Sequence, residues 1–188
     1  MSLTRQQQTL LLAVARQAIE YGLAHQRPPP VECADYDGAL QATRASFVTL
    51  HLGERLRGCI GALEAGRPLV VDVAQHAYAA AFSDPRFSPL AADELPGLAI
   101  HISVLSPSTP IFFDSEEALI HELHPGIDGL IIAQSGRRAT FLPAVWRLIP
   151  DRREFLKQLK RKAGISETGS DFLAWRYSAE EFPPSSKS

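Results

Sequence analysis

The chain has 188 residues, 45% of them hydrophobic and 21% charged, a balance that excludes a disordered or low-complexity protein. Its 19 basic and 21 acidic residues give a net charge of -2, which excludes a global electrostatic pull toward nucleic acid or an anionic membrane. The longest apolar runs, LLLAVA and AYAAAF, fall far short of a bilayer span, and MSLTRQQQ lacks the basic start and apolar core of a secretory signal.

Cys33 and Cys59 are the only cysteines and have no metal-finger spacing, so the sequence reads as a cytoplasmic protein with free thiols. The length fits a single domain over 1–182, with room for two subdomains and a cleft between them.

Thr4 and Gln7 have capping-box spacing, and Leu11, Val14, Ala15, Ala18 and Ile19 follow at helical intervals, which predicts a helix from about Arg5 to His25. RPPP at Arg27 ends it, because proline lacks the N–H donor. The chain up to Thr43 reads as a long loop. ASFVTLHL then alternates Val48, Leu50 and Leu52 with Phe47, Thr49 and His51, a strand, and LRGCIG pairs back after a turn around Gly53.

Pro68 suits the first turn of a helix continuing through Val70, Val73, Ala74, Ala77 and Ala81, which SDPRFSPL breaks. LAIHISVL alternates again, with Leu98, Ile100, Ile102 and Val104 on its buried face.

A short helix over Ser115 to Glu122, capped by Asp114 with Glu117 reaching back, is followed by the loop HPGIDG. GLIIAQSGRRATFL reads as a hairpin turning at Ser135 and Gly136. Asp151 and Glu154 open a helix with Phe155, Leu156 and Leu159 inward, stopped by Gly164. FLAWRYS is the last strand, and 183–188 reads as a disordered tail. The expected fold is α+β: an N-terminal helix and two related halves with antiparallel or mixed sheets, each running strand, strand, helix, strand.

The register of the first hairpin decides which way Cys59 faces. A two-residue turn beginning at Gly53 puts Cys59 beside Val48 and Leu50 and forces Arg57 onto the same apolar face. A three-residue turn, Gly53 to Arg55, instead gathers Val48, Leu50, Leu52, Leu56 and Ile60. It leaves Thr49, His51, Arg57 and Cys59 on the other face, with Cys59 across from Thr49 and His51 across from Arg57. Burial outweighs turn preference, so the second register is expected.

Gly58 and Gly61 mark a close approach of a ligand or of another backbone. Cys59 then reads in two ways: as a small residue filling a tight spot, or as a thiol whose basic neighbours favour the reactive thiolate.

LRGCIG at Leu56, together with FVTL at Phe47, AAFSDPRFSPL at Ala80, ISVLSP at Ile102, DGLII at Asp128, FLPAVW at Phe141 and KRKAG at Lys160, resembles the AMMECR domain family over nearly the whole chain. The resemblance implies an α+β fold with a cleft near the cysteine motif. It also implies a pathway shared with a Memo-like protein and a radical S-adenosylmethionine enzyme. Carried over by motif, it puts Arg57, Gly58, Cys59, Gly61, Asp84, Arg86 and Phe87 on the functional shortlist. One departure stands out: His101 occupies a position where the family often has an acidic residue.

Candidate bases for the thiol are His51, His76 and His101, with His101 preferred because it lies beside Ser103 on the less apolar face of its strand. The expected catalytic set is Cys59, Arg57, His101 and His51, and the expected ligand-binding set is Gly58, Gly61, Asp84, Arg86 and Phe87. No cofactor is called for. No metal is either, since His121, His124 and Asp128 lack zincin spacing.

The sequence supports an accessory enzyme or cofactor-handling protein acting on a small molecule or a modified group. The alternatives are a non-catalytic module binding a peptide or partner protein in the same groove, and RNA binding through the basic helix 152–162. The last is the weakest, because no aromatic platform accompanies that helix.

Overall fold

The structure is a computed structural model that describes residues 2–166 and 171–182. The expected tail, 183–188, lies outside the described residues. Helix α1, Arg5–His25, begins at the capping box the sequence signals: the Gln7 N–H donates to Thr4 Oγ1 at 3.2 Å and the Thr4 N–H to Gln7 Oε1 at 2.8 Å. Its buried side chains are the periodic ones, Leu11, Val14, Ala15, Ala18 and Ile19, together with Gly22.

The expected long loop holds a four-residue helix, α2, Gly38–Gln41, because the Asp37 side chain accepts the N–H groups of Ala39 and Leu40. Strands β1, Ser46–Leu52, and β2, Arg55–Gly61, precede helix α3, Leu69–Phe82, and strand β3, Leu98–Leu105.

The rest comprises β4, Thr109–Ile111; α4, Glu116–Glu122; β5, Gly129–Gln134; β6, Arg137–Phe141; α5, Arg152–Ala163; β7, Leu173–Tyr177; and β8, Ala179–Phe182. Ser115 caps α4 by accepting the Ala118 N–H, in place of the expected Asp114. Asp151 caps α5 as expected, and Gly164 ends it.

The fold is mixed α+β, built from two four-stranded sheets ordered β2-β1-β3-β8 and β4-β7-β5-β6. The chain divides into two compact units: one runs to Leu105 and resumes at Glu180, and the other is Ser106–Ala179. In the first, β1 pairs antiparallel with β2 and β3, and Val48, Leu50, Ile100 and Ile102 meet α1 and α3 in one core. In the second, β5 pairs antiparallel with β6 and β7, and Leu130 and Ile132 pack with Leu119, Phe155 and Leu159.

The repeated order strand, strand, helix, strand is therefore present twice, and each sheet gains a fourth strand, β8 or β4, that the sequence reading did not include. Among the described residues no helix is long and apolar enough to cross a membrane.

Candidate functional site

The β1–β2 hairpin combines both registers that the sequence allows. Leu52 pairs with Arg55 across a two-residue turn, and Gly53 there has φ +59°, the left-handed value such a turn asks of its first residue. The register then shifts between Leu50 and His51, so that Leu56 and Arg57 together face His51, and beyond this bulge Leu50 pairs with Gly58 and Thr49 with Cys59.

The expected three-residue turn and the pairing of His51 with Arg57 are thus replaced by a tight turn plus a bulge. The turn keeps its glycine geometry, and the extra residue restores the parity that burial demands. Leu56, expected in the core, is 39% exposed. The expected face for Cys59 holds.

That face of the first sheet carries a row across three strands: Cys59 on β2, Thr49 on β1 and His101 on β3. Cys59 Sγ lies 3.2 Å from Thr49 Oγ1. His101 is one strand further on, which puts its Cα about 9–10 Å from that of Cys59, twice the strand spacing. The imidazole is therefore no direct partner of the thiol. His101 packs edge-on against His51, ring centres 5.2 Å apart. Burial and then the neighbouring His51 push its pKa below the ordinary histidine value, against a smaller upward pull from Glu181, so at neutral pH it is an uncharged acceptor. His51 Nδ1 is buried with no hydrogen-bond partner among the described residues.

The two arginines of the shortlist are both tied to carboxylates. Arg57 donates through Nε and Nη2 to Glu94 at 2.6 and 2.8 Å, while Glu94 Oε2 also accepts the Ala91 N–H at 2.8 Å. The Arg57 bonds hold the Glu94 carboxyl down at about 2. Arg57 Nη1 is buried and has no hydrogen-bond partner among the described residues.

Arg86 forks onto Asp84 at 3.0 and 2.7 Å, and Asp84 is buried. Asp84 Oδ2 also accepts the Cys59 N–H at 2.9 Å, and Arg86 Nη2 donates to the Cys59 carbonyl at 3.3 Å. β2 is an edge strand, so this ion pair satisfies the backbone groups that would otherwise stand open on either side of the thiol. The Arg86 bonds, chiefly, hold the Asp84 carboxyl well below the usual carboxylate range. Phe87 lies beside both guanidinium groups, its ring centre 6.0 Å from Arg57 Cζ and 5.5 Å from Arg86 Cζ.

The glycines serve packing by the chain itself. A Cβ on Gly58 would sit 2.0 Å from the Ala80 carbonyl oxygen of α3, and one on Gly61 would sit 2.3 Å from the Phe47 ring. Gly58 faces the helices, away from the thiol's face, so the close approach it marks is that of another backbone. Gly61 makes room for Phe47, its cross-strand partner.

His76 does not join the site. It lies on α3, with Nδ1 3.1 Å from Asp72, whose carboxylate also accepts the N–H and the hydroxyl of buried Ser46.

In the second unit, Asp128 closes the loop after α4 by accepting the backbone N–H of His124 at 2.9 Å. Among the described residues there is no group of three or more side chains able to hold a metal. Helix α5 is less basic outside than its sequence suggests, because Lys160 is fully buried and donates to Glu116 at 2.6 Å, whereas Lys162 stays exposed.

Sequence reasoning missed Glu94 altogether. The signal was indirect: a half-buried Arg57 needs an anion, but Glu94 stands 37 residues away.

The AMMECR1 family model matches residues 12–182. A protein of Thermotoga maritima is 37% identical over 139 residues, covering 73% of this chain and 76% of that one. A protein of Methanothermobacter thermautotrophicus is 35% identical over 169 residues, 87% of this chain and 85% of its own. The crystal structure of an uncharacterized protein from Pyrococcus horikoshii superposes with a TM-score of 0.83 at 32% identity, over 93% of this chain and 90% of that one.

Proposed function

The chain belongs to the AMMECR1 family, and within it we propose that the Cys59 face is the working site of an accessory enzyme or cofactor-handling protein. Its substrate is a small molecule or a modified group on a larger molecule, its setting the cytoplasm, and its partners a Memo-like protein and a radical S-adenosylmethionine enzyme. The observation that carries this reading is the row Cys59–Thr49–His101. A group seated over Thr49 has a thiol on one side and an uncharged imidazole on the other.

Asp84 and Arg86 fix the Cys59 backbone, and Phe87 lies against the guanidinium groups of Arg57 and Arg86. Cys59 is the nucleophile or ligand of this arrangement, and His101 is the proton acceptor, assisted by His51.

The test is alkylation by iodoacetamide in a Cys33→Ser background. A Cys59 rate at neutral pH at least tenfold above that of a free cysteine peptide supports the reading. A rate at or below the free peptide sinks it.

One observation favours a second reading, a non-catalytic module that binds a peptide or partner protein on the same face: the polar neighbour of Sγ is a hydroxyl, with the imidazole a strand away. Under that reading Cys59→Ser keeps every binding partner that the wild type has. RNA binding through α5 loses support from the burial of Lys160, and a flat salt dependence of any RNA affinity would dismiss it.

A further inference from the structure

The second unit displays an aromatic side chain that its own fold does not use. Phe112 follows β4 and is 91% exposed, whereas Phe113 turns inward onto Phe172, ring centres 5.3 Å apart. One step past the Ile111–Ala174 pair, the β4–β7 register sets Phe112 opposite Leu173, which is 64% exposed. A phenylalanine and a leucine side by side in water form the kind of patch that marks a contact surface.

Two grooves share Phe112 in their lining. One, of about 270 Å³, runs along β4 and β7 past Pro110, Leu173 and Trp175. The other borders α4.

The rim is acidic. Asp171 lines the first groove, and Asp114 and Glu122 line the second, with no lysine or arginine lining either. Glu122 is paired with Arg176 at 2.9 Å. Among the described residues, neither Asp114 nor Asp171 has an ion-pair partner. Two uncompensated carboxylates beside an apolar crest complement a segment that is apolar in the middle and basic at its flanks.

β4 is an edge of its sheet, but it is only three residues long and Pro110 at its middle has no N–H to donate. A partner therefore engages through side chains in the grooves rather than as an added strand.

We propose that Phe112 and Leu173 form a docking site for a segment of another protein in which an aliphatic or aromatic side chain is flanked by lysine or arginine. The site is independent of the Cys59 face. Phe112 is the anchor, because an aromatic side chain that loses most of its exposure on binding carries a large share of the affinity.

A phage library of random 12-residue peptides, selected on the full-length chain and counter-selected on Phe112→Ser, tests this. The expected result is an enriched consensus of apolar residues bracketed by Lys or Arg. Synthetic peptides of that consensus should bind at least tenfold more weakly to Phe112→Ser, and the double variant Asp114→Lys, Asp171→Lys should prefer Glu-flanked versions. Phe112 is solvent-facing, so circular dichroism and thermal melting should match the wild type. An acidic consensus, or no Phe112-dependent one, overturns the proposal. A concentration-dependent dimer that Phe112→Ser dissolves overturns it too, since a second copy of the chain would then cover the patch.

Discussion

The two sheets wind alike, and their hairpins differ by a single residue. In the second unit Gln134 pairs with Arg137 across Ser135 and Gly136, both with positive φ, and the register runs unbroken to Leu130–Phe141. In the first unit the turn is equally short, but Arg57 is inserted as a bulge.

Counted back from each turn, Thr49 and Ile131 hold corresponding places. Thr49 is flanked by Cys59 and His101, and Ile131 by Thr140 and Trp175. One extra residue thus decides whether a thiol points at the helices or away from them, because side chains alternate with a period of two.

Removing that residue is the most direct way to break the comparison. Deletion of Arg57 would give the first hairpin the unbroken register of the second, with Gly58 still across from Leu50 and Cys59 still across from Thr49, and would strip Glu94 of the guanidinium that holds it. The expected outcome is a loss of about 3 kcal/mol from the stranded Glu94 carboxylate, read as an early denaturation midpoint, with Cys59 still open to alkylation. A variant as stable as the wild type, or one in which Cys59 no longer reacts with iodoacetamide, would refute this account of the bulge.

A smaller effect is expected where the edge of the first sheet is clamped. Asp84→Asn removes the charge that holds Arg86 and weakens the bond to the Cys59 N–H, at a cost of about 2 kcal/mol. For a chain of this length that lowers Tm by about 4–8 °C. Faster hydrogen exchange should appear at Cys59 but not in β5 or β6.

The pH dependence sharpens the same contrast. Asp84 and Glu94 have folded pKa values below their ordinary ones, so their contribution is present in full above the unfolded values and is lost as pH falls through the folded ones. Tm should therefore fall as pH drops from 4.5 toward 2, and Glu94→Gln should flatten part of that fall. An unchanged slope in Glu94→Gln would show that the Arg57 fork contributes nothing.

The smallest effect belongs to the second hairpin. Gly136→Ala forces a Cβ into a backbone with φ +79° and should cost about 1 kcal/mol, with Cys59 alkylation unchanged. A change in that rate would mean that the two hairpins are coupled.

Local signals in the sequence were strong enough to place both hairpins, the helix over Arg152–Ala163 with its Asp151 cap, and the apolar faces of β1 and β3. β4 and β8 escaped because TPI and AEEF are too short to show an alternation. Lys160 escaped because nothing in a basic run says which lysine turns inward to meet Glu116, 44 residues away.

At the candidate site, the sequence by itself determined the residue types, the family resemblance and the partition of Cys59 from the apolar face, since each follows from patterns a few residues long. Tertiary structure decided the rest: the bulge at Arg57, the carboxylates that hold Arg57 and Arg86, the backbone of α3 against Gly58, and the strand that separates His101 from the thiol. Those outcomes depend on side chains tens of residues apart competing for the same space and charge, and that competition is resolved only when the sheet and its helices pack.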